Sequence, residues 1–194
     1  MRSSPFSWIN EQAKVGVFVV LFFFTVALSV AGCWINRSLN GKTTAPCSGI
    51  VGFELAGSRE RADKIVACWS DDARKDAFLG LGFDYLFLFV YPLTISLACH
   101  LAARRDERFA RRTWIVGAIL SWLVLAAAPL DATENYALIK VLKSSSGDFW
   151  PALARWCAIP KFGLIIIGTL YVVVWLVLEL VRKGARPDAG AALR

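Results

Sequence analysis

Four apolar runs, each bounded by charge, organise this 194-residue chain. The first covers 15–32, after Lys14 and before Cys33-Trp34; the others cover 78–102, 113–131 and 162–181. At about 1.5 Å per residue, runs of this length cross most or all of a hydrocarbon core roughly 30 Å thick. The pattern predicts an all-α integral membrane protein with four transmembrane helices, a single domain over 1–183. The Ala-, Gly- and charge-rich tail 184–194 is expected to be disordered.

Between the runs lie two longer loops, 33–77 and 132–161. The first is punctuated by Gly41, Pro46, Gly49, Gly52 and Gly57. Within it, Ala62, Ile65, Val66 and Trp69 recur at helical spacing, with Arg59, Glu60, Asp63 and Lys64 opposite them. This describes an amphipathic helix lying on the membrane or over the bundle. Ser70 before Asp71-Asp72 is a helix start. After the third run the apolar pattern resumes at Ala137–Leu142 and stops at Ser144-Ser145-Ser146-Gly147. Asp148, Trp150, Pro151 and Trp156 suggest a short interfacial helix before the last span, which Pro160 and Lys161 introduce.

Composition agrees: 57% of residues are hydrophobic and 19% charged, outside the range of soluble domains. The net charge of +7 sits beside the apolar runs, so it reads as orientation rather than as a nucleic-acid surface. The five arginines of 104–112 and Arg182-Lys183 predict a cytoplasmic side holding both termini, with the two longer loops outside. A cell membrane, as in a bacterial inner membrane, is the expected location. The lipid bilayer is the first partner, and a larger membrane complex or a homo-oligomer is compatible with the plan. Val30-Ala31-Gly32-Cys33 also matches a lipoprotein cleavage box, but the segment before Lys14 and the spans downstream favour a retained helix.

This topology places Asp84 near the outer end of the second span and Asp131, Glu134 and Asn135 near the outer end of the third. The last three share one helical face. Lys161, at the outer start of the fourth span, is placed to neutralise a carboxylate, and Tyr85, Tyr91 and Tyr136 to supply hydroxyls or aromatic walls. The expected site is an outward-facing polar pocket of Asp84, Asp131, Glu134, Asn135, Lys161 and Tyr91, binding a small ligand, a cation or a lipid head group. The protein then serves as a transport, binding or accessory module. An alternative is a membrane-embedded enzyme on an amphiphilic substrate, with Asp84 and Glu134 as acid and base. The competing structural reading leaves Asp131 and Glu134 at headgroup level, where they only mark the membrane edge. No spacing supports a metal loop, and no cofactor is assigned. His100, the one histidine, falls at the opposite end from the acids.

Cys33, Cys47, Cys68 and Cys157 fall in the outer loops or at their edges, and Cys99 near the cytoplasmic end. This layout resembles that of the bacterial membrane disulfide-generating oxidoreductases, four-helix proteins with cysteines in both outer loops. The resemblance implies thiol–disulfide exchange with a quinone. The wide separation of Cys33, Cys47 and Cys68 instead favours structural disulfides or buried thiols. No phosphate-binding loop, nucleophile elbow, zinc motif or dinucleotide fingerprint is present.

Overall fold

The computed structural model describes residues 5–40, 48–106, 111–144 and 146–184. Cys47, the centre of the arginine-rich segment and the tail beyond Gly184 lie outside them. Among the described residues the chain is all helix, and four helical units are long and apolar enough to cross a membrane. The protein is a multi-pass α-helical membrane protein.

Helix α1 (Glu11–Ile35) starts where the Asn10 side chain accepts from the Gln12 amide, and its 25 residues extend about 37 Å. Two short helices, α2 (Arg37–Asn40) and α3 (Ile50–Glu54), lead to α4 (Arg59–Ala67). Next comes α5 (Asp71–Asp106), whose first turn is capped by Ser70 Oγ accepting from the Ala73 amide at 3.2 Å. The third span is α6 (Arg111–Leu123), a 3-10 turn (Val124–Ala126) and α7 (Ala127–Leu142). The last is α8 (Phe149–Gly184). The turn at 124–126 has a local cause: Pro129 has no N–H for the Leu125 carbonyl four residues back, so the regular ladder is interrupted there.

Helix α5 is the central element, with 67% of its apolar stretch buried against 6% in α1 and in α8. It packs on α1, α6, α7 and α8, while α7 and α8 lie along one another. Gly168 on α8 permits one close approach, since a Cβ there would lie 2.8 Å from Val124 Cγ2 and 3.0 Å from Ile95 Cγ2. By contrast Gly163 faces open space. The helices alternate in direction, which leaves two ends to the bundle. One, the terminal end, holds the start of α1 and the end of α8; the other, the loop end, holds α2, α3 and α4.

The amphipathic helix forms as its spacing predicts. Helix α4 buries Ala62 and Ile65, and Trp69 follows them into a core with Phe53, Leu81, Leu138 and Ala154. Its polar face carries the i,i+4 ion pairs Arg59–Asp63 and Glu60–Lys64, and the Asp148 side chain accepts from the Arg59 amide at 2.6 Å. Past the acids the helix continues as the apolar pattern of Ala137–Leu142 predicts: α7 runs to Leu142, and α8 begins at Phe149. The short interfacial helix is the first part of α8 itself: Pro151 lies in the first turn, where it is tolerated, and Pro160 removes a single backbone bond that packing against α7 outweighs.

Candidate functional site

At the loop end a polar cluster is enclosed by α3, α5, α7 and α8. Helix α7 supplies Asp131, Glu134 and Asn135 from its buried face, where Ala127, Ala137 and Leu138 also lie. Because α7 runs on past the acids, these groups are buried against the neighbouring helices of the bundle. Helix α8 supplies Lys161, which is 4% exposed. Its Nζ lies 3.0 Å from Asp131 Oδ1 and 2.7 Å from Glu134 Oε2. Helix α5 supplies Tyr91, whose hydroxyl donates to Asp131 Oδ2 at 2.8 Å. About two turns before it, Asp84 Oδ2 accepts from Asn135 Nδ2 at 2.9 Å. All six residues expected from the sequence therefore meet.

Tyr85 and Tyr136 do not join them. The Tyr85 hydroxyl donates to the Ala132 carbonyl, and Tyr136 is exposed, its ring centroid 5.7 Å from that of Trp150. His100 lies at the terminal end, as expected. The enclosure also differs from an open pocket: Asp131, Glu134, Asn135, Lys161 and Tyr91 are all buried, and only Asp84 is half-buried.

A seventh member was not singled out in the sequence. Glu54, the last residue of α3, is 8% exposed and its carboxyl lies beside that of Glu134. It is held there because the neighbouring Phe53 ring packs edge-on to Trp69, centroids 5.2 Å apart, and Trp69 Nε1 donates to the Ser48 carbonyl. Burial pushes the Glu54 carboxyl up to about 7; Lys161 opposes the shift, and the charges of Asp84 and Asp131 add to it. The available sequence signal was a lone carboxylate inside Ile50-Val51-Gly52-Phe53-Glu54-Leu55, where every other residue is apolar or glycine.

Among the described residues, four carboxyl groups thus face one ammonium, with Glu54, Asp131 and Glu134 buried and Asp84 half-buried. The hydrogen-bond inventory is lopsided in the same sense. Glu54 Oε2, Glu134 Oε1 and Asn135 Oδ1 are buried without a hydrogen-bond donor, while Glu134 Oε2 is held by the Lys161 ammonium at 2.7 Å. Buried acceptors without donors are rare, because each forfeits its hydration. Two carboxyl groups side by side repel unless a proton lies between them, in which case they form a hydrogen bond. Among the described residues the cluster therefore holds more acceptors than donors.

Among the described residues no three His, Cys, Asp or Glu side chains converge closely enough to hold a metal ion. Cys68 forms a disulfide, whereas Cys33 is an exposed free thiol and Cys99 and Cys157 are buried free thiols. No protein-family model, curated protein or solved structure matches the chain.

Proposed function

We propose that the chain is a multi-pass membrane protein whose loop-end cluster takes up a proton or a small cation, as a transport, binding or accessory module. One observation carries the reading: Glu134, 0% exposed, brings an oxygen without a donor into a group of four carboxyls that, among the described residues, a single lysine serves. A cluster built only to hold helices together would have its acceptors filled. In the membrane, ionisable residues facing the bundle interior mark ion and proton paths. Asp84, half-buried, and Glu54, on the one element that enters from outside the spans, are the two approaches to the closed centre.

The orientation belongs to the same reading. Arg104, near the end of α5, and Arg182, near the end of α8, stand at the terminal end, which favours a cytoplasmic location for that end of a cell-membrane protein. The Cys68 disulfide at the loop end suits an oxidising compartment outside. Labelling of Cys33, exposed at the loop end of α1, by a membrane-impermeant maleimide in intact cells checks this; labelling only after lysis reverses the topology.

The test of the site is thermal stability of the purified protein as a function of pH and of added sodium, potassium, ammonium or calcium. Wild type is expected to respond to pH or to one of these cations, and Asp84→Asn and Glu134→Gln to blunt the response. If neither substitution changes it, the cluster takes up no cation and the reading fails.

A further inference from the structure

A second feature of the loop end lies outside this cluster. A cavity of about 340 Å³ is lined by Ala152, Arg155, Trp156 and Ile159 of α8 and by Gly57, which follows α3. The four α8 residues stand at i, i+3, i+4 and i+7, so one stripe of that helix forms the wall. Gly57 closes the other side. Its φ of +73° is a left-handed conformation that favours glycine, and a Cβ there would lie 2.7 Å from Arg155 Cδ. The turn after α3 is thus brought against the arginine stem.

The charge in this wall is unused. Arg155 is exposed and makes no hydrogen bond or ion pair with the protein among the described residues. Next to it Trp156 is 75% exposed. On the same end, Tyr136 and Trp150 stack edge to face and Lys140 lies over both rings, an aromatic and basic group of the kind found at membrane interfaces. Below Arg155 the same side of α8 continues as Ile159, Gly163, Ile166 and Leu170, at i, i+4, i+7 and i+11. The three large residues are exposed, and Gly163 faces open space, so this apolar stripe has a low point and can serve as a channel for an acyl chain. From Ile159 to Leu170 this channel runs about 16 Å at 1.5 Å per residue, close to half of a hydrocarbon core roughly 30 Å thick.

We propose that this cavity and channel form a binding site for one phospholipid, its phosphate on the Arg155 guanidinium and an acyl chain along Ile159, Gly163, Ile166 and Leu170. Guanidinium and phosphate match in charge and in paired hydrogen-bond geometry, and Gly57 and Trp156 flank the headgroup. The length of the channel suits a chain of a single leaflet and assigns the ligand to a lipid, not to free phosphate. The site does not depend on the function of the carboxylate cluster.

The test is a titration of the purified full chain in detergent with phosphatidylglycerol, read by thermal stability and by native mass spectrometry, alongside diacylglycerol and inorganic phosphate. Phosphatidylglycerol is expected to raise the melting temperature and to add one retained lipid. Diacylglycerol, lacking the phosphate, and inorganic phosphate, lacking the chains, are expected to do neither. Arg155→Gln is expected to weaken lipid binding about tenfold, and Ala152→Trp, which fills the cavity, to abolish it. Both positions are on the surface side of α8, and an unchanged lipid-free melting temperature reports intact folding. Equal lipid binding by both folded variants overturns the proposal. So does an equal response to inorganic phosphate, which makes the site one for the free anion, or to diacylglycerol, which makes the arginine irrelevant.

Discussion

A lysine is buried at each end of the bundle, Lys14 at 1% exposure and Lys161 at 4%. At the terminal end Lys14 Nζ lies 2.6 Å from Glu11 Oε1 and 3.2 Å from His100 Nε2, and Glu11 also pairs with Arg104. One carboxylate there stands between two cations, with its side chain 55% exposed. At the loop end one cation stands among four carboxyls, none of them fully exposed. The terminal group ties α1 to α5 and leaves none of its buried oxygens or nitrogens without a partner. The loop-end group leaves several. Burial alone therefore does not distinguish a clasp from a site; the balance of donors and acceptors does.

The comparison predicts a ranked set of effects. Lys161→Met removes the one cation found in the loop-end cluster among the described residues, leaving uncompensated buried charge, and is expected to cost about 3–5 kcal/mol in denaturant unfolding in detergent. Lys14→Met is expected to cost about 1–2 kcal/mol, because Glu11 retains Arg104 and solvent. Equal losses at the two lysines remove the distinction drawn here. Asp131→Asn, which weakens both the Lys161 ion pair and the Tyr91 hydrogen bond, is expected to fall between them, at about 2 kcal/mol.

The pH dependence follows from Glu54. Its folded-state carboxyl holds a proton up to about 7, whereas the unfolded chain releases it near the ordinary value of 4.5. Between those values the folded state binds more protons, so this contribution is fully present below 4.5 and is lost as pH rises through 7. An unfolding series from acid to neutral pH is expected to show that decline in wild type and a flatter profile in Glu54→Gln. A rise over the same window contradicts the placement of Glu54. The smallest effect belongs to Arg104→Gln at the terminal end: a half-exposed ion pair is worth less than about 1 kcal/mol, and added salt is expected to erase it.

The spans and the six expected cluster residues were legible because both depend on local periodicity and on a topology that alternates sides. Asp131, Glu134 and Asn135 announce a shared face by spacing alone, and Asp84 and Lys161 follow once α5 and α8 are known to end beside α7. Glu54 was hidden for a physical reason. Its place depends on a five-residue helix too short to show periodicity, held by the tertiary contact of Phe53 with Trp69. The pairing of Lys14 with His100 was hidden likewise, since 86 residues separate them and only helix packing brings them together. The reach of α8 above Pro160 was missed because proline weakens a helix locally but does not end one that is packed on its neighbour.

The most direct test of the loop-end cluster is the infrared carbonyl absorption of protonated carboxylic acids, followed with pH in the purified protein and compared among wild type, Glu54→Gln and Glu134→Gln. A surplus of buried carboxyls predicts a protonated-acid band that persists at neutral pH, titrates out around 7 and diminishes in Glu54→Gln. A wild-type protein with every carboxyl ionised at neutral pH, and no bound cation in its mass spectrum, contradicts the account: four buried negative charges would then be held by Lys161 alone.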